Sequence, residues 1–135
     1  MRRRFTLDGR SRERLVRTLA DALAPRSDLS FAYVFGSVLE RDAIHDVDVA
    51  VWTTPGAATF VDMDLAASLS RLVRVPVDVR RVNDAAVLIL FHVLQGRPLV
   101  VRDDLLLATV MERTAREYHD MAPLLRRATR EAFAV

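Results

Sequence analysis

Phe31 to Val51 reads FAYVFGSVLERDAIHDVDVAV, two apolar runs with a polar turn between them. The first run ends in Gly36-Ser37, eight residues intervene, and Asp46-Val47-Asp48 opens the second. If the second run is a strand, its side-chain period of two sets Asp46 and Asp48 on one face and Val47, Val49 and Val51 on the other. Two carboxylates then stand about 6–7 Å apart at one end of a buried strand. Carboxylates buried without compensation are costly, so the pair calls for a counter-charge, and an all-oxygen donor set suits Mg²⁺. Gly36-Ser37 falls where a strand turns into a helix. Glycine there permits close backbone approach, and the free N–H groups of a helix start suit a phosphate. Metal and phosphate together point to nucleotide chemistry.

An Asp-x-Asp pair alone is ordinary on an exposed strand, and so is Gly-Ser at a strand's end. Here the two are joined at short spacing, and a third carboxylate follows in a similar setting, Val77-Asp78-Val79. Three carboxylates from two strands can hold two divalent ions for in-line phosphoryl or nucleotidyl transfer. Asp62 and Asp64 form another Asp-x-Asp pair, but they fall in a helical pattern that points them about 200° apart, so they are not a metal site.

Around this core the chain alternates helical and strand patterns. Ser11 to Leu23 places Leu15, Leu19 and Leu23 at helical spacing, ended by Pro25, with Arg10, Arg12, Arg14 and Arg17 on the outer face. Leu29 to Phe35 reads as the first strand, Ser37 to about Asp42 as a short helix, and Asp46 to Trp52 as the second strand, with Ile44-His45 in the loop between. Phe60 to Leu72 is a further amphipathic helix, and Val75 to Val82 a third strand with Asp78 on the face opposite Val77 and Val79. Asn83 or Asp84 is expected to cap a helix over Ala85 to Gln95 that is apolar almost all round and so buried, with Gly96 at its end. His92 inside it reads as a hydrogen-bonded core histidine. Pro98 to Arg102 gives a short fourth strand. A long helical region follows, capped by Asp103 or Asp104 and striped by Leu107, Val110, Met111, Thr114, Tyr118, Met121 and Leu125; Pro123 is expected to kink or divide it, with Asp120 capping the second piece. This order predicts an α/β fold, a small mixed sheet flanked by helices, with a helical C-terminus.

Composition bounds the function. At 135 residues, 51% hydrophobic and 28% charged, the chain is expected to form one globular domain over 1–135. It has no cysteine, which excludes disulfides and thiolate metal sites, and a cytoplasmic protein is the simple reading. No stretch carries the apolar length of a membrane span or a signal peptide. All twenty basic residues are arginine and the net charge is +2, too small to argue for direct nucleic-acid binding.

Gly36-Ser37, Asp46-x-Asp48 and the later strand Asp78 resemble the signature of the polymerase-beta-like nucleotidyltransferases, specifically the minimal nucleotidyltransferase (MNT) group. Val75 to Asp104 and Arg116 to Arg127 are similar to the corresponding parts of MntA-like antitoxins from HEPN/MNT toxin–antitoxin pairs, so the resemblance covers nearly the whole chain. Its connection from Gly-Ser to Asp-x-Asp is about two residues shorter than usual, around Ile44-His45, and Arg41 stands where many members have glycine. The resemblance implies the nucleotidyltransferase fold, ATP as substrate, two Mg²⁺ ions held by Asp46, Asp48 and Asp78, and the terminal phosphates of ATP against Gly36 and Ser37. It also implies the acceptor, a tyrosine hydroxyl on a HEPN ribonuclease toxin, and a hetero-complex with that toxin; whether the chain is also an oligomer stays open at this point. Two other readings stay open: an antitoxin that neutralises by contact alone, and transfer to a small molecule. Arg113 and His119 match the loose Arg-x4-6-His pattern of the HEPN ribonucleases themselves, but those are all-helical whereas this chain alternates helices with valine-rich strands.

Overall fold

Valine-rich runs supply the central strands, and their alternation decides which face each helix covers. The computed structural model describes residues 2–133. In chain order its elements are β1 (Phe5–Thr6), α1 (Gly9–Leu23), β2 (Leu29–Phe35), α2 (Ser37–Glu40), β3 (Ala43–Ile44), β4 (Val47–Thr53), α3 (Val61–Val73), β5 (Val77–Arg81), α4 (Val87–Leu94), β6 (Arg97–Val101) and α5 (Asp104–Phe133). The main sheet runs β5-β4-β2-β6. β2 is antiparallel to both β4 and β6, while β4 and β5 are parallel, so the sheet is mixed as expected. No helix among the described residues is long and apolar enough to cross a membrane.

One sheet face presents Ala32, Val34, Val47, Val49, Val51, Val77 and Val79 to the leucines of α1 and α3. The other presents Phe31, Tyr33 and Ala50 to Leu90 and Val93 of α4 and to Leu107 and Val110 of α5. Phe31 anchors this second core, stacked on Trp52 at 5.4 Å and edge-on to Tyr33 at 6.1 Å. Each fully buried Leu or Val side chain contributes about 1.5–3 kcal/mol, so register is firmly set. A slip of one residue in β4 would drive Asp48 into the valine core and turn Val49 out.

Several elements differ from expectation. α1 starts before Ser11 because Asp8 caps it: the Ser11 N–H donates to Asp8 Oδ1 at 2.7 Å and the Asp8 N–H donates to Ser11 Oγ at 2.9 Å. These bonds also hold the Asp8 carboxyl below the usual carboxylate range, the Ser11 backbone N–H contributing most. A carboxyl lowered in the folded state adds stability above its unfolded value, near 3.9, that is lost as acid protonates it. Asp8→Ala is therefore expected to lower the melting temperature by about 2–5 °C at neutral pH, with the deficit shrinking below about pH 4 in thermal scans.

Neither Asn83 nor Asp84, the residues expected to cap α4, does so, and Asn83 is spent elsewhere. Its side chain donates to the Thr53 carbonyl at 2.9 Å and accepts from the Thr53 N–H at 3.0 Å, tying the end of β4 to the end of β5, and α4 begins without a side-chain cap. α4 itself is not buried all round. It lies between the sheet and α5, so Leu90 and Val93 are covered while Leu88 is 44% exposed. His92 is likewise exposed rather than a hydrogen-bonded core residue, and its ring meets Phe35 edge-on at 5.4 Å. α5 continues through Pro123 as one helix. The main-chain acceptor that the proline ring cannot serve belongs to His119, an exposed residue that water can reach, so the loss there does not end the helix. Finally, the loop at Ala43-Ile44 is a strand. β3 pairs antiparallel with β1, Phe5 opposite Ile44 and Thr6 opposite Ala43, in a small sheet of its own.

Candidate active site

β2 delivers the chain to the end of the sheet at Phe35, whose ladder partner on β4 is Asp48. The next residue, Gly36, has φ +80°, and a Cβ added there would stand 3.1 Å from Asp48 Oδ2. Both the backbone region and the close approach therefore require glycine. Ser37, half-buried, opens α2, whose first N–H groups lack intrahelical acceptors as at any helix start. On the far side of β4, parallel pairing with β5 sets Asp78 directly in register with Asp48. Neighbouring strands lie about 4.8 Å apart, so the two carboxylates leave the same sheet face side by side. Asp46 immediately precedes β4, close enough for its charge to act on Asp48.

This face is the one α4 and α5 cover, but α4 packs mainly over β2. Asp78 is left exposed and Asp48 half-buried. Burial pushes the Asp48 carboxyl above the usual carboxylate range, and the negative charges of Asp46 and Asp78 push it further, with Arg80 and His92 pulling partly back. Asp48 is thus a carboxylate poorly compensated by its own protein.

The path from α2 to β4 is short and pinned. Arg12, expected on the outer face of α1, is turned inward instead: its Nε–H donates to the Val38 carbonyl at 2.7 Å and its Nη2 to the Arg41 carbonyl at 2.8 Å. Arg41 takes φ −129° and ψ 151°, extended backbone open to any residue, so no glycine is needed where it stands. Past β3, the His45 Nδ1–H donates to the Arg3 carbonyl at 3.0 Å, and Arg2 Nη2 bonds Asp46 Oδ2 at 2.9 Å. The N-terminal arm is therefore laced along the connection that leads into Asp46.

All five residues singled out in the sequence, Gly36, Ser37, Asp46, Asp48 and Asp78, thus lie at one end of β2, β4 and β5. Sequence reading missed three neighbours: Arg2, Arg80 and His92. Arg80 carries a signal, the same period of two that relates Asp46 to Asp48. Arg2 carries none, being forty-four positions from Asp46. Arg113 and His119 are both exposed on α5, in a chain that is not all-helical.

Among the described residues no group of three or more His, Asp or Glu side chains is gathered so as to hold a metal ion. Asp46 is turned to the Arg2 guanidinium, and three like charges without a cation between them repel. The donor chemistry nevertheless fits a divalent ion: oxygen ligands only, an uncompensated half-buried carboxylate at the centre, and a glycine that leaves the space beside it open.

The family model described as polymerase beta nucleotidyltransferase matches residues 17–105, more than half of the chain. No curated protein matches the sequence. Among solved structures, the chain is similar to one of the toxin–antitoxin complex MntA–HepT, at 17% identity and TM-score 0.55 over 90% of this chain and 99% of that one. It is similar to another of a tri-AMPylated Shewanella oneidensis HEPN toxin in complex with an MNT antitoxin, at 20% identity and TM-score 0.57 over 88% and 96%. A third is a toxin–antitoxin structure with AMP-PNP, at 18% identity and TM-score 0.57 over 91% and 99%.

Proposed function

The chain belongs to the polymerase beta nucleotidyltransferase family, and from that premise we propose that it is an antitoxin that transfers AMP from ATP to a tyrosine hydroxyl of a cognate HEPN ribonuclease toxin in the cytoplasm, silencing it. The observation that carries the reading is the register of Asp48 with Asp78 at the uncovered end of β4 and β5, against the Cβ-free wall of Gly36. The similarity to toxin–antitoxin chains, one from a complex whose toxin is AMPylated, supports the choice of acceptor.

In this reading the triphosphate of ATP lies along the Gly36-Ser37 turn, where backbone N–H groups and the Ser37 hydroxyl donate to its terminal phosphates. Asp46, Asp48 and Asp78 would hold Mg²⁺, two ions for the three carboxylates, and the metal supplies charge neutralisation at the phosphates. Asp78, the most open of the three, accepts the proton of the incoming tyrosine hydroxyl. The tyrosine oxygen bonds the α-phosphorus as the bond to the β-phosphate oxygen breaks, and pyrophosphate leaves. The protein positions the groups and compensates charge; it forms no covalent intermediate.

The experiment is incubation of the purified protein with Mg²⁺, ATP and the toxin encoded beside it, followed by intact-mass analysis. One or more added AMP masses on the toxin, absent with Asp46→Ala and with Asp78→Ala, is the expected result. An unmodified toxin in a stable complex would replace this reading with neutralisation by contact, which the shorter connection into Asp46 favours. Absence of both adduct and complex would leave transfer to a small molecule as the surviving member.

A further inference from the structure

Resting on the reading of the site just given, we propose that Arg80 is a side chain that grips the phosphates of the nucleoside triphosphate beside the carboxylates. Arg80 follows Asp78 by two residues on β5, so it rises from the same sheet face one pleat further along. Its register partner on β4 is Ala50, whose methyl leaves the guanidinium unobstructed, and Arg80 is exposed.

Three other arginines of the region are already engaged. Arg2 bonds Asp46, Arg12 bonds the carbonyls beside α2, and Arg97 bonds Glu13 at 2.6 Å. Arg81, next in sequence, points to the opposite face and reaches Asn83. Among the described residues Arg80 has no carboxylate and no carbonyl partner, yet it is close enough for its charge to act on Asp48. A free guanidinium beside Asp48 and Asp78, and in an ion pair with neither, is placed for a ligand that brings its own negative charge.

The charge balance points the same way. Three carboxylates and a triphosphate carry more negative charge than two divalent ions neutralise, and the excess falls on the phosphates. Arginine suits that task because its planar fork bonds two phosphate oxygens at once. No step of bond-making is assigned to it; it binds the phosphates and balances their charge.

The test is titration of the full-length protein with AMP-PNP in the presence of Mg²⁺, for wild type, Arg80→Ala and Arg80→Lys, with Mn²⁺ binding to nucleotide-free protein followed by electron paramagnetic resonance. Arg80→Ala is expected to weaken AMP-PNP binding about 10- to 100-fold while Mn²⁺ binds at least as well as to wild type. Arg80→Lys, which keeps the charge without the fork, is expected to fall between. Unchanged AMP-PNP binding in Arg80→Ala overturns the proposal. So does a parallel loss of Mn²⁺ binding, because Arg80 would then be supporting the carboxylates rather than the substrate. If wild type itself binds no AMP-PNP, the nucleotidyltransferase reading fails first and Arg80 loses its ligand with it.

Discussion

Asp48→Asn is expected to abolish AMP transfer while making the metal-free protein slightly more stable. The two effects have one cause. Asp48 sits at the centre of the site, in register with Asp78 and in touch with the space above Gly36. Losing its charge removes the carboxylate best placed to hold a cation, and several kcal/mol of transition-state charge stabilisation correspond to a fall of roughly a thousandfold or more. The same charge is a burden to the empty fold. Half-burial and the charges of Asp46 and Asp78 raise the carboxyl above its ordinary range.

The sign of the stability effect follows from that shift. A carboxyl raised in the folded state favours folding only while it is protonated, and that contribution is lost as pH rises through its folded value. At neutral pH, wild type therefore carries a penalty that the isosteric amide lacks. Solvent screening keeps the penalty small for a half-exposed group, and a gain of about 1–3 °C in melting temperature at pH 7 is expected, vanishing below about pH 4. Intact-mass assays and thermal scans on metal-free protein check both halves. Retained transfer would remove Asp48 from the machinery, and a lowered melting temperature would make it a structural residue.

The parts of the fold that sequence could show are those whose signal is local. β2, β4 and β5 each carry a run of apolar residues, and the alternation of Asp and Val in the last two fixed which side faces the valine core. Asp78 could be brought beside Asp48 by strand pairing alone. What stayed hidden depends on partners far away in the chain. β1 and β3 are two residues each, too short for any periodicity, and they exist because each completes the other. Arg12 looks like one of a row of surface arginines, and only the fold brings the open carbonyls of Val38 and Arg41 beneath it. Asn83 has the identity of a helix cap, but buried main-chain groups at Thr53 compete for it and win, because leaving them unpaired costs about 1–3 kcal/mol. α4 is apolar all round, yet exposure is decided by how many surfaces are there to cover it, and the sheet and α5 cover only two sides.

Gly96 was legible as a helix-ending glycine, but its φ is not in the left-handed region and its reason for being there is different. It joins α4 to β6 where β6 comes down beside β2, Val34 pairing with Arg97. A Cβ on Gly96 would run into the Val34 carbonyl oxygen, and would stand 2.8 Å from Phe35 Cβ and 3.0 Å from Phe35 Cα. The obstacles are mostly backbone of a central strand, which cannot swing aside as a flexible side chain would. Gly96→Ala is therefore expected to cost about 2–4 kcal/mol, seen as a lower urea midpoint with an unchanged slope. Gly56→Ala is the control, since its added Cβ would meet no atom within 4 Å. Equal stability of the two variants would show that β2 yields easily. The consequence reaches the site, because the strand that Gly96→Ala would displace carries Phe35, the ladder partner of Asp48, and leads directly into Gly36. Nucleotide binding should therefore weaken in the folded fraction of Gly96→Ala and not in Gly56→Ala. That difference would tie the tight α4–β6 junction to the shape of the proposed phosphate cradle rather than to stability alone.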